Sequence, residues 1–475
     1  MSLTITNVNT LSLLNILNKT SAAQSLSLTR LSTGQRINSG ADDPAGLIAL
    51  NSINRELTSV DAAISNNQRT DAMLSVADGA LSEISTLLGD IQSLAAASSN
   101  SAGLTASELA ANQSQIDNAL ASVERIVRTT EFNGKKLLDG SQGINVTGVT
   151  AANITDVRVY SRDPNASSST IRVNVNSIAT RANTAAANAL ATNSASEATT
   201  IEIKGTLGTQ IIEVAANENL SSITAKINDV AALTGVYASQ AGGVATAAVH
   251  MRTSGYGSDE FVKVSILEGG AQNGSGTFNT ANVTGTDAGV SINGHTAATD
   301  GKEVFYNSGS LSLTFKITDA FTAGSSDTFT VDSSGGMTFQ LGTDSTMRAT
   351  LGVDSLFSQR LGTGTTGEVL SALKSGGTYD LNSNPSKAVE IVRAAREQVA
   401  TLQGRLGGFQ KYQVQTSLNA MTSSKENLTA VKSIIGDVDY ATETAELSRQ
   451  NVLMQSAISL LGLANQQSAQ VLSLL

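Results

Sequence analysis

The sequence has no cysteine, no tryptophan, only three prolines among 475 residues, and an aromatic content of 4%. Without cysteine, neither disulfides nor thiolate metal sites can form. Because aromatic residues are scarce, any core must be built from Leu, Ile, Val and Ala. This composition suits interfaces between long helices better than one compact globular core.

Positive charge is also scarce. The chain has 30 Lys and Arg against 40 Asp and Glu, which gives a net charge of −10. We therefore expect no nucleic-acid partner, since such proteins need a basic surface that displaces counterions. No apolar run reaches the ~18 residues of a membrane-spanning helix, and the first ten residues lack the features of a secretory signal. We expect neither membrane insertion nor export by the general secretory route.

Residues suited to catalysis are few. His250 and His295 are the only histidines, and no HExxH zinc signature is present. The glycine-rich stretch at 362–367 lacks the Lys-Ser/Thr of a phosphate loop. Paired carboxylates such as Asp42 and Asp43 have a simpler role as N-caps or turn residues. We expect no enzymatic activity, no cofactor and no metal.

Apolar residues at helical spacing mark both ends of the chain. The N-terminal stripe begins at Ile5 and continues through Leu11, Leu14, Leu17, Leu28 and Leu31. The C-terminal stripe contains Leu453, Ala457, Leu460, Leu461 and Ala464, and it runs to Leu475. A lone helix cannot offset the roughly 1–2 kcal/mol needed to fix each residue's backbone. Both ends are therefore predicted to be covered by each other and by copies of the chain.

The middle of the chain has a different texture, because residues 141–385 hold 28 of the 41 glycines. Alternating runs there predict strands at 171–175, 201–204, 261–266 and 311–317. A short helix is predicted at 219–233. Outside this zone the periodicity is helical, which gives an α+β fold with helical arms from both termini and a β-rich insertion.

Two breaks divide the helical arms. Asp43 is a predicted N-cap, with Pro44 at the first helical position, where its missing N–H costs nothing. Gly436 and Asp437 break the second arm, and we expect the terminal helix from Leu447 onward. The predicted domains are 1–43 with 437–475, 44–140 with 386–436, and 141–385, which includes an inserted motif at about 201–270.

Three stretches resemble bacterial flagellin: RLSTGQRINSGADDPAG at 30–46, TEFNG at 130–134, and DVDYATETAELSRQNVLMQSAISLLGLANQQSAQVLSLL at 437–475. The match is collinear at both ends of the chain. Residues 201–270 resemble a motif inserted in some flagellins and hook proteins.

The resemblance implies a filament subunit for swimming motility, secreted through the flagellar export apparatus into the extracellular filament. In that family the terminal helices line an inner tube, the adjacent helices form an outer tube, and the insertion projects outward. The implied partners are further copies of the chain, a cytosolic export chaperone, the filament cap and the hook-filament junction proteins. We expect the chaperone to hold Leu453, Leu460, Leu461 and Leu463.

The resemblance also bears on detection by the vertebrate innate receptor for flagellin. Detected flagellins carry an arginine-rich patch around a leucine, which Leu94 matches. Asp90 stands at the position of the key arginine, and Gln115 replaces a glutamate. Charge reversal at a contact predicts weakened docking, although Asp90 is equally compatible with a solvated helix residue.

Two alternative functions stay open on sequence grounds. The hook-filament junction protein shares the helical termini, although the DVDYATETAELSR and VLSLL strings favour flagellin. The Ser/Thr-rich central zone is also compatible with an adhesin displayed on the filament.

Overall fold

The structure is a computed structural model that describes residues 8–99, 103–184, 198–241, 248–269, 281–309, 311–364 and 367–473. Its contacts group the chain into two compact units. The first unit contains residues 1–68 and 415–475, and the second contains residues 69–414. Ile5 and Leu475 lie outside the described residues.

Eight α-helices occur in the described residues. Their bounds are α1 Val8–Thr33, α2 Pro44–Ser98, α3 Ala106–Thr129, α4 Leu220–Asp229, α5 Ala231–Thr234, α6 Pro385–Phe409, α7 Gln415–Gly436 and α8 Tyr440–Ser473. One π-helical turn at Gln410–Val414 joins α6 to α7, and a 3₁₀ turn spans Leu370–Leu373.

Two predicted helix bounds were wrong. Helix α8 begins at Tyr440, seven residues before Leu447, because Asp439 caps a polar first turn that carries no apolar stripe. Its carboxylate accepts the N–H groups of Ala441 at 3.0 Å and Thr442 at 3.2 Å. The helix predicted at 219–233 is divided at Val230, which caps the C-terminal end of α4. Near this break the Asn228 side chain bonds to both the carbonyl and the N–H of Ala238.

The strands fall within the predicted insertion, apart from a short hairpin just before it. Their bounds are β1 Glu131–Phe132, β2 Lys135–Lys136, β3 Ile144–Thr147, β4 Ile154–Ser161, β5 Ser168–Ser177, β6 Thr199–Gly205, β7 Gly208–Val214, β8 Val236–Ala241, β9 Ala248–Thr253, β10 Phe261–Glu268, β11 Val283–Thr284, β12 Gly289–Ile292, β13 His295–Thr296, β14 Ala298–Asp300, β15 Glu303–Ser308, β16 Leu311–Ile317, β17 Ser326–Gly335, β18 Met337–Gln340 and β19 Arg348–Leu351. All four predicted strands are present, and the α+β fold is confirmed.

Two antiparallel sheets share one core in the insertion. Their strand orders are β13-β12-β5-β17-β3 and β14-β15-β16-β4. Alternating residues of β5 and β17 point inward, as the period of two along a strand requires. Phe315 and Phe329 meet edge to face in this core, with ring centroids 6.1 Å apart.

A second, smaller core lies within the inserted motif. The sheet of order β11-β10-β6-β7 and the β8-β9 hairpin pack with α4. Ile223 and Ile227, one turn apart on α4, are fully buried against Ile201 and Ile203 of β6. The motif therefore buries its own apolar side chains.

The helical core of the second unit consists of α2 from residue 69 onward, α3 and α6. Its fully buried apolar residues repeat every three or four positions and include Leu81, Ile84, Leu88, Ile91, Ile116, Leu120, Val123, Ile391, Val392 and Val399. Gln113 is also buried here, and its amide pairs with backbone groups of Leu373 at 2.8 Å and Leu381 at 2.9 Å. This core has the close-packed interior of an independently stable bundle.

Antiparallel helix pairs form the first unit. Helix α1 packs along α8, and residues 44–68 of α2 pack along α7. Asp61 forms an ion pair with Lys425 at 2.8 Å, and Asn67 donates a hydrogen bond to the Ser417 hydroxyl at 3.4 Å.

Candidate assembly surface

Helices α1 and α8 face each other along a line of residues that we call the seam. On both helices these residues alternate spacings of three and four, which is the heptad pattern of a coiled coil. They are buried or half-buried, and they are Thr10, Leu13, Leu17, Thr20, Gln24, Ser27 and Leu31 on α1, and Glu443, Leu447, Gln450, Met454, Ala457, Leu461 and Ala464 on α8.

Several predicted assembly leucines lie outside the seam. Their side chains are between 39% and 56% exposed, and they are Leu11, Leu14, Leu28, Leu453, Leu460 and Leu463. By contrast, Leu17, Leu31 and Leu461 lie within the seam. The structure thus divides each predicted stripe into an inward part and an outward part.

Other apolar residues extend the outward surface. Ile16 and Leu26 of α1 are exposed, as are Val452 and Ile458 of α8. Exposed apolar residues that recur along both helices are candidates for an interaction site. We call the outward leucines and these four residues the outer apolar face.

Asp43 and Pro44 stand where α2 begins. The Asp43 carboxylate accepts the N–H of Gly46 at 2.9 Å, which is the N-cap interaction at the third helical residue. Just before it, hydrogen bonds from the backbone and hydroxyl of Ser39 lower the pKa of Asp42. This turn separates α1 from α2, and Asp43 accepts the N–H groups of both Gly46 and Leu47.

The chain passes between the α1-α8 pair and the α2-α7 pair twice, and the two passages are bonded to each other. Val438 donates its N–H to the Gly34 carbonyl at 3.0 Å, and Arg36 donates its N–H to the Gly436 carbonyl at 2.7 Å. The Arg36 guanidinium also reaches the Ile435 carbonyl at 2.7 Å. We call these two passages the double crossing.

The polar seam residues are the part of the surface that sequence reasoning missed. Thr20, Ser27 and Gln450 are all less than 10% exposed. A search for apolar stripes passes over them because they are polar. The sequence does carry a signal for these polar residues. Spacings of three and four residues alternate strictly along each helix, so the polar residues fall in line with Leu17, Leu31 and Met454.

Nothing in the described part of the chain points to a membrane or a metal. No helix there is long and apolar enough to cross a bilayer. Among the same residues, no group of three or more His, Asp or Glu side chains could hold a metal ion.

Comparison with known proteins gives full-length relatives. The chain is 30% identical over 511 aligned residues to the B-type flagellin of Pseudomonas aeruginosa, and the alignment covers 100% of both chains. The chain belongs to the flagellin family. It is also 27% identical to a flagellin of Salmonella rubislaw, with 99% of both chains covered, and 26% identical to one of Clostridium tyrobutyricum, with 95% and 96% covered.

Three family models match parts of this flagellin. The bacterial flagellin N-terminal helical region matches residues 5–143, and the C-terminal helical region matches residues 389–475. The flagellin hook IN motif matches residues 200–245, within the smaller core of the insertion. Among solved structures, the flagellar cap protein of Escherichia coli shares 16% identity over 53% of this chain and 62% of its own, with a TM-score of 0.28. That similarity is too low to support an argument.

Flagellins are structural proteins of the bacterial flagellum. This flagellin is therefore a structural subunit of the flagellar filament, secreted by the flagellar export system and located outside the cell. Nothing in the comparisons favours the junction-protein or adhesin alternatives.

The three residues considered for innate-receptor docking lie in the second unit of this flagellin. Asp90 on α2 and Gln115 on α3 are exposed, whereas Leu94 is half-buried and packs against the helical core. Only Asp90 and Gln115 therefore present most of their side chain to solvent.

Proposed function

We propose that this flagellin polymerises with copies of itself through the outer apolar face of α1 and α8. The observation that carries the proposal is that the outward leucines stay exposed while polar residues occupy six of the fourteen seam positions. Burying one leucine side chain stabilises a complex by roughly 1.5–3 kcal/mol. Neighbouring subunits that cover several of these leucines would supply most of the assembly free energy.

In this proposal the domains take separate places in the filament. Residues 1–43 with 437–475 line the inner tube, and residues 44–140 with 386–436 form the outer tube. Residues 141–385 project outward. The N-cap at Asp43 and the double crossing support a boundary between the first two parts, because both regular helix pairs end there.

We infer that the α1-α8 pair is ordered mainly by assembly. Fixing some thirty residues costs on the order of tens of kcal/mol, and a seam half occupied by polar side chains returns little of it. Backbone amides of α1 and α8 should therefore exchange with solvent quickly in the free chain and slowly in the polymer. Slow exchange in the free chain would contradict this inference.

The same exposed leucines would be an aggregation hazard before secretion. We propose that a cytosolic export chaperone covers Leu453, Leu460, Leu461 and Leu463, and that the filament cap and hook-filament junction proteins contact the chain at the ends of the filament. Of the four chaperone positions, Leu461 lies in the seam. Access to it would require the α1-α8 pair to be open, so substituting Leu461 should weaken chaperone binding only if α8 binds without α1.

Two further parts of the proposal concern what the chain does not do. We infer that it has no catalytic role, since its histidines and paired carboxylates form no catalytic arrangement in the sequence. We also infer weak detection by the innate receptor, because Asp90 presents a negative charge. An Asp90→Arg variant should then give a stronger response in receptor-bearing reporter cells.

The test of assembly is polymerisation seeded with sheared filaments and followed by sedimentation and electron microscopy. A variant with Leu453→Asn and Leu460→Asn removes two outward leucines and leaves the seam intact. We expect at least a tenfold rise in the concentration needed for polymerisation, since two buried leucines are lost.

The matched control is Gln455→Asn with Asn465→Ser, which changes exposed polar residues of the same helix. The control should polymerise like the natural chain. A truncation that lacks residues 447–475 should not polymerise at all. Normal polymerisation of the leucine variant or of the truncation would overturn the proposal.

A further inference from the structure

The seam of the α1-α8 pair contains a polar segment where a coiled coil ordinarily has apolar residues. Gln24 and Ser27 on α1 and Gln450 on α8 occupy this segment. The amide nitrogen of Gln24 donates a hydrogen bond to Asn451 Oδ1 at 2.7 Å, and Arg30 lies 3.8 Å from Glu443. These two contacts show which residues of α1 lie level with which residues of α8.

In this alignment Gln24 and Gln450 lie at the same height along the α1-α8 pair, and we call such a set of opposed residues a layer. The Gln24–Asn451 contact places Gln24 level with Gln450, and the spacing on both helices then places Leu17 level with Ala457 and Leu31 level with Glu443. The two amides share a layer without bonding to each other, since Gln24 donates to Asn451 and Gln450 donates to Glu446.

The polar layer does not add much stability to the pair. Gln450 donates its amide to Glu446 Oε1 at 3.1 Å, but its own Oε1 is buried and has no hydrogen-bond partner within the described residues. Arg30 Nε and Glu443 Oε1 are likewise buried and have no hydrogen-bond partner within the described residues. A buried polar atom left unpaired destabilises the folded state relative to an apolar residue of similar size. Some function other than stability must account for this segment.

Sliding one helix by a heptad shows what the layer does. In one direction Gln450 moves level with Leu31, and in the other it moves level with Leu17. Either slip places the buried Gln450 amide against a leucine and breaks the Gln24–Asn451 hydrogen bond. The leucines alone would tolerate such a slip, because apolar layers accept one another in many registers.

We propose that the Gln24–Gln450 layer fixes the register of the α1-α8 pair. Both are positioning residues: they act by aligning the helices, and so decide where the outer apolar face stands on each subunit. The proposal rests on the proposed function only in assigning that alignment a role in the filament. The register itself is a property of one chain.

The natural absence of cysteine makes the register directly measurable. A chain with Leu13→Cys and Leu461→Cys carries cysteines that are level in the observed register. Leu13→Cys with Met454→Cys reports a slip of one heptad in one direction, and Thr20→Cys with Leu461→Cys reports a slip in the other. Each pair is oxidised in the natural background and in a Gln24→Leu, Gln450→Leu background, and cross-links within one chain are read at monomer mass.

In the natural background we expect the first pair to cross-link at least about tenfold more than either slipped pair. In the double-leucine background the cross-link yield of each slipped pair should rise to within about threefold of the yield of the first pair. Ser25→Leu with Gln455→Leu is the matched control, because both residues are exposed on the same helices. This control should keep the tenfold preference.

Polymer and unpolymerised chain are separated by sedimentation before cross-links are read. The proposal would be overturned if the double-leucine background kept the tenfold preference in both fractions. It would also be overturned if the Leu13→Cys, Leu461→Cys pair of the natural background formed no cross-link in either fraction. Failure of the natural chain to polymerise would overturn the proposed assembly instead. Because oxidation traps the α1-α8 pair whenever it forms transiently in a free chain, the cross-links in the unpolymerised fraction would still report the register.

Discussion

The α1-α8 pair and the helical core of the second unit use the same spacing of three and four residues in opposite ways. In the helical core, Leu81, Ile84, Leu88 and Ile91 fill the interior completely. In the α1-α8 pair, polar residues fill much of the interior and leucines stand outside. Periodicity alone therefore predicts that helices pack. The chemistry at each position decides whether they pack within one chain or between chains.

Leucine substitutions should break this comparison most clearly. Leu88→Ala removes a fully buried side chain and should lower the free energy of unfolding by about 2–5 kcal/mol. Leu28→Ala, at an outward position, should change it by less than about 0.5 kcal/mol. Urea unfolding of the free chain, followed by circular dichroism, measures both. Equal losses would show that the two regions do not differ as described.

Acidity should act on the second unit more than on the α1-α8 pair. Burial raises the pKa of Asp354 to about 6, against the pull of Arg158 and Arg360. On the helical arms, by contrast, hydrogen bonds from Thr442 lower the pKa of the exposed Asp439. Because the neutral form of Asp354 is the favoured one in the folded chain, its contribution to stability should fall as pH rises from about 4 to about 6.

An Asp354→Asn variant should lack that fall. Relative to this variant, the natural chain should lose up to about 3 kcal/mol between pH 4 and pH 7, since one pKa unit corresponds to about 1.4 kcal/mol. Urea unfolding at both pH values gives the difference. Asp332→Asn, at an exposed carboxylate with a lowered pKa, is the control and should not abolish the fall. If the natural chain and the Asp354→Asn variant showed the same pH dependence of stability, the fall could not be assigned to Asp354.

The smallest effect comes from two buried glutamines. Gln113→Leu should cost about 2 kcal/mol, because the Leu373 carbonyl and the Leu381 N–H lose their partners inside the helical core. Gln450→Leu should leave the unfolding free energy of that core unchanged. The same urea experiment measures both variants, and a stability loss shared by them would remove the distinction between a satisfied and an unsatisfied buried amide.

Much of the helical architecture was predictable because its signals are local. Asp43 with Pro44 identified the start of α2, and the helical periodicity outside residues 141–385 identified the helical arms. The Asn-Gly pair at 133–134 is a local turn signal of the same kind, and both residues adopt positive φ angles. Such features depend on residues within one or two turns of each other.

What could not be predicted depends on contacts between distant residues. The order β13-β12-β5-β17-β3 joins strands more than a hundred residues apart, and no local pattern specifies it. On the assembly surface, the separation of Leu460 from Leu461 followed from the register of α8 against α1. Consecutive helical residues lie about 100° apart, so both leucines fit one wide apolar stripe. Only the packing of α8 against α1 shows that Leu461 is half-buried and Leu460 exposed.

The double crossing has a mechanical consequence for a molecule that transmits rotation. Two short passages bonded to each other cannot bend independently, because any tilt of the α1-α8 pair must strain the Val438–Gly34 and Arg36–Gly436 hydrogen bonds together. Tyr440 adds a further bond from its hydroxyl to the Leu31 carbonyl at 3.3 Å. Torque that reaches one helix pair therefore passes to the other through several hydrogen bonds that are loaded in parallel.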